Sequence, residues 1–68
     1  NSVSNTLTYS FKKINDGNVE IYTIDGKLIY QTTFKQSTGV ISLDKINSGI
    51  YQAVFKGTDE NEVFRFVK

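Results

Sequence analysis

Few side chains in this sequence are of the types that do chemistry, and most of the acidic ones lie in or near turns. Neither histidine nor cysteine occurs among the 68 residues, so the usual general base, thiolate nucleophile and zinc ligands are missing. The acidic residues near turns are Asp16, Asp25, Asp44, Asp59 and Glu60. Aspartates in turns usually accept hydrogen bonds from backbone N–H groups. Because a glycosidase-like pair of carboxylates must flank a cleft, we expect no enzymatic activity.

Calcium is the metal that this sequence could best accommodate, at residues 59–62, Asp-Glu-Asn-Glu. Oxygen ligands suit this hard cation, but the segment lacks the alternating ligands and the glycine of an EF-hand loop. A solvated hairpin turn explains the same residues. The glycines are isolated and no helical pattern follows them, which argues against a phosphate-binding loop. We therefore predict neither a metal nor a cofactor.

Aromatic residues in the strands raise the alternative of carbohydrate binding. Tyr22 and Tyr30 are the candidates for an exposed platform, although packing within the sheet explains most tyrosines in short strands. A non-catalytic carbohydrate- or protein-binding module of an extracellular enzyme therefore stays open as an alternative function, as does a structural spacer.

Length and charge exclude several classes of protein. A chain of 68 residues supports one domain and leaves little material for both a core and an enclosed site. The net charge is +1 and the lysines are scattered, so nucleic-acid binding is not indicated. No apolar stretch approaches the roughly 20 residues that span a bilayer, and the beginning of the chain lacks a signal-peptide pattern.

The elements that would position a binding surface are short strands. Runs rich in β-branched and aromatic residues alternate with Gly/Asn/Asp-rich turns, at residues 6–14, 19–24, 27–34, 40–43, 50–56 and 62–68. Such spacing predicts an all-β antiparallel sandwich or barrel. No segment has sustained helical periodicity, and residues 44–48 would form one helical turn at most.

Alternation of apolar and polar residues places sets of apolar side chains on one face of a run. The residues that share a face are Leu7, Tyr9 and Phe11; Leu28, Tyr30 and Phe34; Tyr51, Ala53 and Phe55; and Phe64 with Phe66. The last two runs also carry apolar residues on the other face, namely Ile50, Val54, Val63 and Val67, so alternation leaves open which of their two faces is buried. Apolar residues on both faces indicate central or partner-covered strands.

Turns and edges complete the local picture. Asp25-Gly26 separates the second and third runs, and this dipeptide favours a two-residue hairpin with a type I′ turn. Proline is absent, and proline is one common protection of exposed sheet edges. Pairing of edge strands into a dimer is therefore a further expectation.

Four segments, taken in order, resemble a known protein family. They are NSVSNTLT at residues 1–8, VEIYTIDGKLIY at 19–30, ISL at 41–43 leading to GIY at 49–51, and FRFVK at 64–68. The order and spacing resemble the C-terminal sorting domain, of type A, of proteins exported by the type IX secretion system of Bacteroidetes. Two departures are Ser2, where the family usually has proline, and the single Lys68, where a fuller basic ending is common.

The resemblance implies both a fold and a role. The implied fold is a small immunoglobulin-like sandwich of about six to seven strands. The implied role is a sorting signal that follows a cargo domain, directs it through the periplasm and across the outer membrane by the type IX translocon, and is often removed by a sortase-like peptidase as cargo is attached to the cell surface. The start at Asn1 rather than Met fits one module, residues 1–68, excised from a longer secreted protein.

The last run is the predicted recognition element, because a receptor can read an exposed sheet edge by adding a strand. We predict that Phe64, Phe66 and Lys68 contribute most to recognition. The alternative is that both phenylalanines are core residues and Lys68 is a solvated end. The turn and fold motif comprises Asp25, Gly26, Lys27, Gly49 and Tyr51, in which the two glycines would adopt turn conformations.

Overall fold

The computed structural model describes residues 5–68, which form six β-strands. The strands are β1 (Thr6–Ser10), β2 (Gly17–Thr23), β3 (Leu28–Phe34), β4 (Thr38–Ser42), β5 (Ile50–Lys56) and β6 (Asn61–Val67). Each predicted run overlaps one strand, and the described residues contain no helix, so the all-β prediction is confirmed. Residues 1–4, which open the first family-like segment and include Ser2, lie outside the described residues.

The strands form two antiparallel sheets. The larger sheet has the order β3-β2-β5-β6, and the smaller consists of β1 paired with β4. The local hairpins β2–β3 and β5–β6 are joined through the non-local pair β2–β5. The six strands agree with the predicted antiparallel layers, and immunoglobulin-like connectivity stays an expectation from the resemblance.

Aromatic rings connect the two sheets. Phe55 of β5 is fully buried, and its ring centroid lies 5.1 Å from that of Tyr9 and 5.0 Å from that of Phe11. Phe34 and Phe64 contact the same ring at 5.6 and 5.9 Å. Because Tyr9 and Phe11 belong to the first predicted run while the other three belong to the larger sheet, this aromatic cluster fixes one sheet against the other.

The hairpin between β2 and β3 is present, but the predicted type I′ turn is wrong. That turn requires positive φ at both central residues, and no described residue other than glycine has positive φ. Instead, the loop has three residues, 24–26: the Gly26 N–H donates to the Thr23 carbonyl (2.9 Å) and the Thr23 N–H donates to the Lys27 carbonyl (2.8 Å). Only Gly26, with φ of +95°, adopts the left-handed conformation, so Asp25 avoids that strain.

A bulge follows this loop and changes one predicted face. Ile21 pairs with Tyr30 whereas Tyr22 pairs with Leu28, which leaves Ile29 as an extra residue. A one-residue shift moves side chains to the opposite face. Leu28 therefore shares the outer face with Tyr22 and is 45% exposed, so the prediction that it shares a face with Tyr30 and Phe34 is wrong.

Gly17 begins β2 at a place where only glycine fits. Its φ is +153°, and a Cβ at this position would lie 1.9 Å from the Lys56 carbonyl oxygen. Gly26 differs, because a Cβ there would meet nothing within 4 Å. The close approach at Gly17 thus belongs to the β2–β5 contact that joins the two hairpins.

Substitution of these two glycines by alanine distinguishes how much stability is lost through a steric clash and how much through an unfavourable φ. We expect Gly17→Ala to lower the free energy of unfolding by about 3 kcal/mol, because the new methyl group meets backbone as well as an unfavourable φ. We expect Gly26→Ala to lower it by about 1–2 kcal/mol through φ alone. Urea denaturation followed by circular dichroism measures both, and a smaller loss for Gly17→Ala than for Gly26→Ala would contradict the described β2–β5 contact.

Candidate recognition surface

Strand β6 is an edge strand whose backbone groups point alternately toward β5 and away from it. Gly49 and Lys68 form a hydrogen-bonded pair, with N–H···O distances of 3.2 and 2.9 Å. Since such pairs recur at every second residue of an antiparallel ladder, Phe66 and Phe64 also bond to β5. The N–H and C=O groups of the intervening residues, Val63, Arg65 and Val67, therefore face the open edge.

The two phenylalanines predicted for recognition have different environments. Phe66 is 2% exposed, and its ring centroid lies 5.7 Å from that of Tyr51. Phe64 is 42% exposed while its ring still contacts Phe11 at 6.0 Å. Phe64 thus lies at the rim of the core and can touch a partner, whereas Phe66 would contribute by holding β6 in place.

Lys68 ties the end of β6 to the turn that precedes β5. Its ammonium group donates hydrogen bonds to the carbonyl oxygens of Leu43 and Ile46. The same turn is closed by the Ile46 N–H, which donates to the Leu43 carbonyl at 3.0 Å. Lys68 is therefore not a free, solvated end. The sequence offered no signal for this contact, because its partners are backbone atoms more than 20 positions away.

The Tyr51 side chain packs over Gly49, and this contact, not a turn conformation, accounts for the glycine. The Tyr51 hydroxyl donates to the Asn47 carbonyl at 2.5 Å, a bond back to the backbone of the kind found in the tyrosine corner of immunoglobulin-like domains. Gly49 has no positive φ, and a Cβ there would lie 3.3 Å from the Tyr51 hydroxyl. Space for the tyrosine, and not the expected turn geometry, thus favours glycine at this position.

The predicted turn motif and the end of β6 lie at the same end of the larger sheet. Thr23 pairs with Tyr51, and Tyr51 pairs with Phe66, so the 24–26 loop extends from the end at which Lys68 lies. The Asp25 carboxylate of that loop accepts a hydrogen bond from the Thr23 hydroxyl. This hydrogen bond is the main reason that the pKa of Asp25 lies below its usual 3.8. The Thr23 hydroxyl oxygen in turn accepts from the Lys27 N–H at 3.0 Å.

The outer face of β5 and β6 carries apolar residues that the sequence-based site did not include. Ile50, Val63 and Val67 are 49%, 54% and 39% exposed, and pairs of Ile50 with Val67 and of Val54 with Val63 place them on one face. The smaller sheet packs on the opposite face, against the aromatic cluster. The signal for this surface was the alternation of apolar residues on both faces of the last two runs.

The outer face also contains a hydrogen-bonded group of three side chains, two of them charged. The Glu20 carboxylate accepts a hydrogen bond from the Tyr22 hydroxyl at 2.6 Å and lies 2.9 Å from the Lys56 ammonium group. The Tyr22 bond, followed by the Lys56 bond, holds the pKa of Glu20 below its usual 4.5. Tyr30 lies on the opposite face and packs against the core, so the two tyrosines do not form one carbohydrate platform.

The described residues form a small all-β domain whose larger sheet has β6 as an open edge strand. Among residues 5–68, no cluster of potential metal ligands occurs, and no helix is long and apolar enough to cross a membrane. The family model described as the secretion system C-terminal sorting domain matches residues 1–68, and the chain belongs to that family. This confirms the resemblance noted in the sequence. No curated protein and no solved structure matches the chain significantly.

Membership in the family defines the general role. The family consists of non-catalytic sorting signals of the type IX secretion system. The chain is thus a type IX sorting domain of a secreted or cell-surface protein, and its interactions are with the secretion machinery and with a preceding cargo.

Replacement of Lys68 tests its contact with the 43–46 turn. We expect Lys68→Met to lower the free energy of unfolding by about 1–2 kcal/mol, because two carbonyl oxygens lose a charged donor. Lys45→Met is the matched control, since Lys45 is an exposed lysine in the same turn. Equal stabilities of the two variants in urea would show that the ammonium group stabilises nothing.

Replacement of Glu20 tests whether its hydrogen bonds with Tyr22 and Lys56 stabilise the fold, through the pH dependence of Tm. A carboxyl whose pKa is lowered in the folded state stabilises the fold above its unfolded pKa, and this contribution disappears as pH falls through the folded value. We expect Glu20→Gln to have a lower Tm than the unsubstituted protein at pH 7. The difference should shrink as pH decreases below about 4.5. Thermal unfolding from pH 7 to pH 2 measures it, with Glu62→Gln as an exposed control; a difference independent of pH would contradict the assignment.

Proposed function

We propose that this chain directs its cargo through the type IX secretion system and then to surface attachment or release. The observation that carries this proposal is the family match over residues 1–68. The finer steps that we propose are passage through the periplasm, engagement of the outer-membrane translocon, and processing by a sortase-like peptidase that attaches cargo to the cell surface. Residues 1–68 would act as one module at the C-terminal side of a longer secreted protein.

Strand β6 is the element that we propose the machinery recognises. Its open edge offers main-chain groups for strand addition, and the rim position of Phe64 makes part of an aromatic ring accessible. Phe66 and Lys68 support recognition by holding β6 in place: Phe66 packs against Tyr51 in the core, and Lys68 bonds to the 43–46 turn. This arrangement explains how a small, non-catalytic domain can present a specific signal after its own folding is complete.

Self-association through an edge strand is a second property that we propose for the isolated module. The larger sheet ends in β3 and β6, and the smaller consists of only two strands, while proline is absent from the sequence. Open edges without proline favour pairing between copies, and β3 and the smaller sheet offer such edges where Arg65 does not oppose the pairing. Sedimentation equilibrium over a range of concentrations would detect the dimer.

A transplant of the whole chain tests sufficiency for sorting. Residues 1–68 are fused to the C-terminus of a periplasm-directed fluorescent reporter in a bacterium with an intact type IX system. We expect the reporter on the surface or in the medium, and we expect it to stay in the periplasm of a matched strain without the translocon. Periplasmic retention in both strains would contradict the proposal, and screens for glycan and surface-protein binding would then test the alternative module.

Changes in β6 test the recognition element within that assay. We expect deletion of residues 64–68 to abolish export. Because this deletion also removes Phe66 and Lys68, the sharper variant is Phe64→Ala, which should reduce export while the domain remains folded by circular dichroism. Val40→Ala is the matched control, since Val40 is 61% exposed on the smaller sheet. Normal export after deletion of residues 64–68 would show that recognition lies elsewhere.

A further inference from the structure

The open edge of β6 presents a defined series of side chains together with its free main-chain groups. The outward N–H and C=O groups belong to Val63, Arg65 and Val67, because hydrogen bonding to β5 alternates along β6 from the Gly49–Lys68 pair. Their side chains share the outer face, because residues two apart on a strand point the same way. An added strand therefore meets two exposed valines with one cation between them.

Arg65 has no carboxylate partner within the part of the chain that the structure describes. The ion pairs found there join Lys13 to Glu60 and Lys56 to Glu20. Across the β5–β6 ladder, Arg65 pairs with the neutral Gln52. The guanidinium group thus keeps its full capacity for a charge-assisted hydrogen bond to an incoming carboxylate.

We propose that β6 selects a partner strand with an acidic residue flanked, two positions away on each side, by apolar residues. The strand adds antiparallel to β6, as every pair in this sheet does, so that the acid lies opposite Arg65 and the apolar residues lie opposite Val63 and Val67. Directly opposed side chains of this kind stabilise sheet pairs, and opposite charges are favourable there. The inference rests on the proposed function, because it specifies the chemistry of the partner that recognises β6.

A second copy of the chain is a poorer occupant of this edge. In the antiparallel register that places Val63 opposite Val67 of the other copy, Arg65 lies opposite its own equivalent. Like charges directly opposite destabilise strand pairing. An acidic residue in the partner removes that repulsion and adds attraction, which is how an interface distinguishes a correct partner from an incorrect one.

Peptide titration tests the proposed selectivity with the full chain. The probes are three soluble peptides with the cores Val-Thr-Glu-Thr-Val, Val-Thr-Gln-Thr-Val and Val-Thr-Lys-Thr-Val. We expect the Glu peptide to bind about two- to fivefold more tightly than the Gln peptide, as an exposed opposite-charge pair allows, and the Lys peptide to bind most weakly. Backbone amide shifts in NMR spectra should be largest at Val63, Arg65 and Val67.

Charge reversal provides the decisive comparison. Arg65→Glu should invert the order so that the Lys peptide binds best. Lys35→Glu makes the same change in net charge at an exposed residue beyond β3, at the opposite edge of the sheet, and should leave the order unchanged. Absence of binding, equal affinity for the Glu and Lys peptides, an order that survives Arg65→Glu, or amide shifts confined to other strands would each overturn the inference.

The export assay separates this inference from the proposed sorting role. Translocon-dependent export that falls after Arg65→Glu and is maintained after Lys35→Glu supports both. Export that is normal after Arg65→Glu leaves the sorting role in place and overturns the selectivity of β6. Failure of the unsubstituted chain to direct export contradicts the sorting role alone, because the peptide order is measured independently.

Discussion

The contact of Phe55 with four other aromatic rings is the interaction on which the rest of this structure depends. A chain of 68 residues buries a smaller fraction of its surface than a larger domain does, and without cysteine it has no disulfide to compensate. Aromatic side chains bury the largest area per residue. Rings from β1, β3 and β6, together with Phe11, surround Phe55 of β5, so one cluster fixes the relative position of both sheets and of the edge strand.

Strand β6 combines a fixed side with an open side. Phe66 packs against Tyr51 and Lys68 bonds to the 43–46 turn, so both anchors lie near the end of the strand. The edge of β6 that faces away from β5 has free main-chain groups, and the valines on it are exposed. A strand that is already ordered loses less conformational entropy on binding than a flexible segment does, which would favour recognition of β6 under the proposed function.

The same strand must avoid pairing with the wrong partner. Charged side chains on an edge are one of the ways in which sheet proteins prevent uncontrolled pairing, and Arg65 is an exposed charge among the residues of β6 that face the open edge. Under the proposed pairing, Arg65 disfavours a second β6 strand in the valine-to-valine register and favours an acidic partner. One side chain would thus provide both protection of the edge and selection of the partner.

The amino-acid sequence by itself determined the all-β class, the six strands, several sets of residues that share a face, and the family, because alternation and turn residues are local and the family pattern is an ordered set of local segments. The tertiary structure decided the features that depend on contacts between distant parts of the chain. Pairing of β2 with β5 requires Gly17 against the Lys56 carbonyl, and the bulge at Ile29 moves Leu28 outward. The carbonyl partners of Lys68 and the outward backbone groups of Val63, Arg65 and Val67 follow from the β5–β6 register. Alternation places a residue on a face, but only the pairing of strands determines which backbone groups remain free.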